Sequence, residues 1–167
     1  MKVKVKKLSR NAVLPFKTYD KDFCYDVVAT SCEEIARNVY RYQIGLAFQI
    51  DRNDKTKLYD EITPFGTTSA YIIFKNAKCN ISIDFRPRSS VWETGMVLSN
   101  CEGTVDEIFT GGVSAVFYHV FTDMPKYEVG DKIGQIKLGF TLPMEFEVVE
   151  ELDETERGAN GYGSTGK

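Results

Sequence analysis

Two segments of the chain combine the residue types that bind phosphate groups. The first lies near the end of the sequence, where Arg157 precedes a Gly-Ser-Thr-Gly run at 163–166. Glycine lets successive backbone N–H groups converge on one oxygen, hydroxyls donate further hydrogen bonds, and a guanidinium donates two in parallel. The second segment, 86–90, reads Arg-Pro-Arg-Ser-Ser. Neither follows the order of a Walker A loop, and each also fits a structural role, as a disordered terminus or as a polar loop.

A third segment has the groups needed to read a base and to activate water. It runs Asn100-x-x-Gly103-x-x-Asp106-x-x-Phe109, which is the length of one hairpin. An asparagine amide offers both a donor and an acceptor, as the edge of a pyrimidine requires. A carboxylate within reach of water is able to act as a general base. The structural alternative is a β-hairpin with an exposed aspartate and a core phenylalanine.

Short runs rich in β-branched and aromatic residues recur along the chain, and clusters of turn-forming residues separate them. This pattern predicts an all-β barrel or sandwich. The Lys-Val-Lys-Val-Lys sequence at 2–6 alternates as a half-buried edge strand does. The other runs lie at 24–29, 44–50, 71–74, 81–85, 113–121, 133–138 and 146–149.

The segment 31–42 is compatible with a helix or with strands. Residues 31–34 read as a capping box, and Ile35, Val39 and Tyr42 follow at helical spacing. The same valine, tyrosine and isoleucine residues also favour strands.

Composition excludes several classes of protein. The net charge of −3 argues against a generic nucleic-acid binder. The apolar runs are shorter than the roughly 20 residues of a membrane span, and the charged segment 1–7 has no apolar core of the kind found in a secretory signal, so we expect none. His119 is the one histidine, so any histidine-based zinc site or catalytic triad would depend on that single residue. The cysteines show no C-x-x-C spacing and are expected to be reduced thiols; they are Cys24, Cys32, Cys79 and Cys101.

Five segments, in chain order, resemble the five motifs of the trimeric dUTPase family. The resemblance covers nearly the whole chain. The segments are Cys24-Tyr-Asp-Val27, Pro87-Arg-Ser-Ser90 with Gly95, Asn100-x-x-Gly103-x-x-Asp106-x-x-Phe109, Gly130-Asp-Lys-Ile-Gly-Gln-Ile136 and Arg157-Gly-Ala-Asn-Gly-Tyr-Gly-Ser-Thr-Gly166.

The resemblance implies an enzyme that hydrolyses dUTP to dUMP and pyrophosphate, which keeps uracil out of DNA and supplies dUMP for dTMP synthesis. Water would attack the α-phosphorus, oriented and deprotonated by Asp106. Asn100 would bind uracil together with backbone groups of the same hairpin, at Gly103 and Val105. Phe109 would pack on the deoxyribose and leave no room for a 2′-hydroxyl.

The resemblance also implies residues for the triphosphate and its Mg²⁺. The metal would be held by phosphates and water, with no direct protein ligand and with Asp26 as a support nearby. Tyr162 would stack on the uracil. The phosphate-binding residues would be Arg88, Ser89, Ser90 and Gln135, joined by Arg157, Gly163, Ser164 and Thr165 of a mobile arm.

The family fold is a distorted β-barrel of jelly-roll type that forms a homotrimer, with each site built from different subunits. By this resemblance, 1–152 would form the barrel, 153–167 the arm, and 31–42 would be extended. The expected partners are dUTP and further copies of the chain, in the cytoplasm, with no membrane and no nucleic acid.

The chain departs from the family pattern at several points. Phe109 replaces the usual tyrosine, and Trp92 and Glu93 replace a small residue and a lysine. The region 51–78 is longer than in a minimal family member, which predicts a surface insertion. Two alternatives follow: a regulatory protein that binds a partner through the insertion and Trp92, or a dCTP deaminase. The strand at 115–120 lacks the glutamate that a dCTP deaminase uses there.

Overall fold

The computed structural model describes residues 1–53, 55–63, 66–73 and 79–159, with side chains described in 1–53 and 79–159. This part of the chain contains strands, one 3-10 helix at Ser89–Glu93 and no α-helix. The strands are β1 (Lys2–Lys7), β2 (Tyr25–Val28), β3 (Ser31–Ala36), β4 (Val39–Gln43), β5 (Leu46–Asp51), β6 (Lys55–Thr63), β7 (Gly66–Ile73), β8 (Asn80–Arg86), β9 (Met96–Leu98), β10 (Gly103–Asp106), β11 (Ser114–His119) and β12 (Lys132–Thr141).

Two four-stranded antiparallel sheets make up most of the fold. One has the order β10–β8–β12–β2 and the other the order β3–β4–β11–β9. The pair β1–β5 adds a two-stranded sheet, and β6–β7 forms a separate hairpin. The all-β expectation is confirmed, and the expected insertion at 51–78 contains this hairpin.

The buried faces of the two large sheets share one core. Phe117 on β11 is fully buried and makes edge-to-face contacts with Tyr42, Tyr127 and Phe85, with ring centroids 5.5–6.4 Å apart. Such aromatic pairs stabilise the fold beyond the area that they bury. The Tyr42 hydroxyl donates a hydrogen bond of 2.8 Å to the carbonyl of Tyr127. Phe85 therefore links the sheet that contains β8 to the centre of the core.

The segment 31–42 forms the β3–β4 hairpin, so the helical alternative is wrong. Asn38 turns the chain with a left-handed φ of 60°, a conformation that asparagine tolerates. The Glu34 carboxylate accepts the Asn38 N–H at 3.0 Å. The glutamate thus caps a turn between two strands, and not the first turn of a helix.

The run at 146–149, expected as a strand, forms none within the described residues. Phe146 is 83% exposed and Val148 is 99% exposed. A strand needs a partner for its backbone groups. The last described strand, β12, ends at Thr141, and no strand pairs with 146–149 within the described residues. This prediction from the sequence is wrong for the single chain.

An ion pair lies on the sheet that contains β8. The Lys137 ammonium is 2.5 Å from the Asp84 carboxylate, and both side chains are largely buried. Burial acts to raise the pKa of Asp84, but hydrogen bonds from Lys137 and Ser82 outweigh it and hold that pKa below its ordinary value. The carboxylate is therefore charged at neutral pH, and its stabilising contribution is present above the unfolded-state pKa and lost as pH falls through the folded-state pKa.

Lys137→Met should destabilise the fold by about 3 kcal/mol at pH 7, because it leaves the Asp84 charge buried without its cation. The difference from wild type should shrink as the pH falls, because the Asp84 carboxylate of the variant, which has lost its cation, takes up a proton before that of the wild type does. Urea denaturation at fixed chain concentration, at pH 7 and pH 3.5, measures both effects. Lys4→Met is the control, since Lys4 pairs with Asp51 at 3.8 Å while 58% exposed. Equal losses in the two variants would contradict this account.

Candidate active site

Two adjoining pockets lie along one edge of the sheet that contains β8. The first, of about 140 Å³, is lined by Asn100 and Gly103 together with 113–116. The second, of about 230 Å³, is lined by Asp106 and Phe109. The pockets form one cleft, because both are also lined by Thr104, Val105, Val113 and Ser114. The third chemistry-bearing segment of the sequence is thus gathered along a single cleft.

A tight turn sets the entrance to β10. Cys101 adopts a left-handed φ of 56°, and the Glu102 N–H donates to the Asn100 carbonyl. The strand then pairs with β8, with Gly103 opposite Phe85. Because β10 is the edge strand of its sheet, alternate residues direct backbone N–H and C=O groups away from β8. The cleft therefore offers a side-chain amide and free backbone groups side by side.

A second turn follows β10 and positions an acid next to an aromatic ring. The Phe109 N–H donates to the Asp106 carbonyl at 3.0 Å. The ring lies over Gly111, where an added Cβ would be only 2.6 Å from the ring. Asp106 is exposed, and Phe109 is 48% exposed. The carboxylate therefore reaches solvent beside an apolar surface that a ligand is able to cover.

A cationic cluster lies at the opposite edge of the same sheet. The Asp26 carboxylate on β2 forms ion pairs with Arg88 Nε at 3.2 Å and with Lys132 Nζ at 2.9 Å. Gln135 on β12 is directly opposite Asp26, and its amide donates to the Pro87 carbonyl at 3.3 Å. Two cations and one carboxylate leave a net positive charge beside an amide, which suits a phosphate chain.

The sequence reasoning did not single out Lys132. It lies in the fourth motif-like segment, and its pairing with Asp26 spans 106 residues of sequence. Its ammonium also lies 4.7 Å from the centroid of the Phe16 ring. The signal that could have identified Lys132 was its place in this segment, where the family usually has an arginine. Ser89 and Ser90 begin the 3-10 helix that follows Arg88.

The cleft and the cationic cluster do not meet within one chain. Asp106 is opposite Ser82 on β8, whereas Asp26 is at the level of Arg86 on the far side of the sheet. Asp106 and Asp26 are separated by three inter-strand spacings of about 4.8 Å and by four residues of about 3.3 Å along the strand direction. Their Cα atoms therefore lie roughly 20 Å apart. One chain therefore presents two separate half-sites.

Other candidate residues lie elsewhere. Arg157 is exposed, and Tyr162, Gly163, Ser164 and Thr165 lie outside the described residues. His119 Nε2 lies 3.0 Å from the carbonyl oxygen of Met124. The described part of the chain has no cluster of three or more His, Cys, Asp or Glu side chains able to hold a metal ion. No helix in that part is long and apolar enough to span a membrane.

A sequence model of the dUTPase family matches residues 58–166, so the chain belongs to the dUTPase family. The deoxyuridine 5'-triphosphate nucleotidohydrolase of Clostridium novyi is 28% identical over 170 residues, covering 99% of each protein. The enzyme of the same name from Fusobacterium nucleatum is 38% identical over 86 residues, covering 51% of this chain and 59% of the relative.

Solved structures share the fold. A mutant of the Staphylococcus bacteriophage 80alpha dUTPase with dUpNHpp has a TM-score of 0.70 at 19% identity and covers 99% of both chains. The dUTPase of phage phi11 of S. aureus, described with a species-specific insert, has a TM-score of 0.62 at 16% identity. It covers 93% of this chain and 100% of its own.

Gly134→Ala should destabilise the protein by about 1–3 kcal/mol, because its Cβ would lie 2.2 Å from the buried ring of Phe85 and 2.8 Å from the Arg86 carbonyl. Gly103→Ala is the matched control, since its Cβ would make an ordinary contact of 3.4 Å with Phe85. Chemical denaturation of both variants measures the difference. Equal stability of the two variants would show that β12 does not pack against β8 as closely as described.

Proposed function

We propose that this chain hydrolyses dUTP to dUMP and pyrophosphate, the reaction that keeps uracil out of DNA and supplies dUMP for dTMP synthesis. Membership of the dUTPase family supports the reaction. One observation supports the roles that we give to individual residues. A single cleft along β10 brings together the amide of Asn100, the backbone of Gly103, the carboxylate of Asp106 and the ring of Phe109.

The first pocket suits a pyrimidine. Asn100 donates to and accepts from the base edge, and backbone groups of Gly103 and Val105 at the free edge of β10 complete the recognition. The pocket's volume of about 140 Å³ accommodates a pyrimidine ring. Because a buried polar edge tolerates few mispaired groups, uracil is selected against bases with a different donor and acceptor order.

The second pocket suits the sugar and the reacting phosphate. Phe109 packs against the deoxyribose, and its ring, held over Gly111, leaves no space for a 2′-hydroxyl. Asp106 accepts a proton from a water molecule as that water attacks the α-phosphorus. The bond from that phosphorus to the oxygen bridging to the β-phosphate breaks, and pyrophosphate leaves.

The cationic cluster binds the phosphate chain. Asp26 holds the Arg88 guanidinium and the Lys132 ammonium in place and leaves donors of both for phosphate oxygens. Further donors come from side chains on the 3-10 helix and β12, and from the C-terminal arm. These are Ser89, Ser90 and Gln135, and then Arg157, Gly163, Ser164 and Thr165, with Tyr162 stacking on the base.

The donor set fits a Mg²⁺ ion that arrives on the nucleotide. Mg²⁺ binds readily through substrate phosphates and water without a dedicated protein cage, and the described residues hold no cluster that would form one. When bound, Mg²⁺ neutralises charge on the triphosphate. Asp26, which already faces two cations, acts as a nearby support. A mutant phage phi11 dUTPase is described with a structural Mg(II) ion.

A homotrimer with shared sites accounts for the two separated half-sites. The cleft of one chain and the cationic cluster of another would meet around one nucleotide, because roughly 20 Å within a chain is too far for one triphosphate to bridge while Asp106 reaches the α-phosphate. Closed cyclic symmetry then makes all the sites equivalent. The four free cysteines suit a reducing compartment, which supports a cytoplasmic enzyme.

The wild-type chain with Mg²⁺ should release pyrophosphate from dUTP, with dCTP, dTTP and UTP as poor substrates. Asp106→Asn should lower kcat by at least about 10² because it removes the general base. A pyrophosphate-release assay on all four nucleotides measures both results. Asp123→Asn, an exposed aspartate on another turn, is the control and should keep full activity. Full activity in Asp106→Asn would exclude the role given to this residue.

A further inference from the structure

One guanidinium ties together three segments that are distant in sequence. Arg52 donates two hydrogen bonds to the Glu107 carboxylate, one from Nε and one from Nη2. Nη2 also lies 2.7 Å from the carbonyl of Cys79, to which it donates. The Arg52 and Glu107 side chains are only 25% and 22% exposed. A two-pronged pair of this kind fixes direction as well as distance.

The three segments are the two ends of the insertion and the turn that follows β10. Arg52 comes directly after β5, and Cys79 comes directly before β8. The chain between them contains the β6–β7 hairpin. Glu107 is the residue directly after Asp106, inside the turn that the Phe109 N–H closes on the Asp106 carbonyl. The pair therefore fastens the base of the insertion to the turn that carries the proposed base and the sugar contact.

The charges of the pair are well satisfied. Arg52 is the main cause that lowers the pKa of Glu107, and a hydrogen bond from the Ile81 backbone adds to it. Glu107 in turn raises the pKa of Arg52. Both groups stay charged across the pH range in which the enzyme would work. A half-buried, two-pronged pair is also less weakened by solvent and salt than an exposed one.

We propose that Arg52 and Glu107 form a clamp that positions Asp106 and Phe109 for the reaction, and that anchors the base of the insertion to the catalytic turn. This inference rests on the proposed function. Both are positioning residues, because they act through the turn and not on the substrate. A displacement of about 1 Å at a reacting group is enough to lower a rate by about 10².

The first test compares single and double variants of the clamp. Glu107→Gln and Arg52→Gln should each lower kcat for dUTP at least about tenfold at 25 °C, because Asp106 is no longer held in place. The KM should change less than kcat does, since Asn100 lies at the other end of β10 and the loss of an interaction made in the transition state affects kcat. The double variant should be no slower than the slower single variant, as expected for residues that act as one unit.

A conservative variant and a matched pair separate positioning from general stability. Arg52→Lys keeps the charge and loses the fork, so it should recover part of the lost kcat. Arg41→Gln breaks the Arg41–Glu33 pair, which joins two side chains at 2.6 Å across β3 and β4. This control should leave kcat unchanged. Melting temperatures are recorded for every variant, and kcat is measured well below each of them.

Clamp variants that are folded and retain kcat within about twofold of wild type would overturn the proposal while dUTP hydrolysis stands. Should the Gln variants fail to fold, Arg52→Lys decides the matter by the same criterion. A wild-type chain that releases no pyrophosphate from dUTP would overturn the proposed function, and the clamp with it.

Discussion

Strand β8 is paired on both of its edges, and the rest of the site depends on that register. On one side Phe85 is opposite Gly103, which fixes where the cleft of β10 begins. On the other side Arg86 is opposite Gln135, which fixes the cationic cluster. A slip of one residue would turn every side chain of β8 to the wrong face. The buried ring of Phe85, packed against Phe117 and over Gly134, strongly disfavours such a slip.

The same register keeps the two halves of the chemistry apart. The groups that we propose to bind the uracil and activate water lie along β10, and the groups that we propose to bind phosphate lie at the β12–β2 edge of the sheet. Because β8 and β12 intervene, no side-chain movement within one chain closes the gap. Association of chains is then a requirement of the mechanism that we propose.

The sequence was informative where the determinants are local. Asn100, Gly103, Asp106 and Phe109 lie within ten residues, so hairpin geometry alone brings them to one cleft, and most apolar runs became strands. It was misleading at 31–34, where one local pattern suits both a helix start and a hairpin turn, and Glu34 in fact caps the turn at Asn38. It was also misleading at 146–149, because that run has no strand to pair with in the described chain. Arg52 and Glu107 are 55 residues apart in the sequence. No local sequence pattern predicts a contact over that separation.

Mixed assemblies test the shared site most directly. Asp106→Asn and Arg88→Ala chains, each inactive alone, are refolded together at equal amounts and assayed with dUTP and Mg²⁺. Each site would take its general base, Asp106, from one chain and its phosphate-binding cluster from the next. In random cyclic assemblies about a quarter of the sites then combine two intact halves, so about a quarter of wild-type activity should return. Mixed assemblies that form and remain as inactive as their parents would contradict the account.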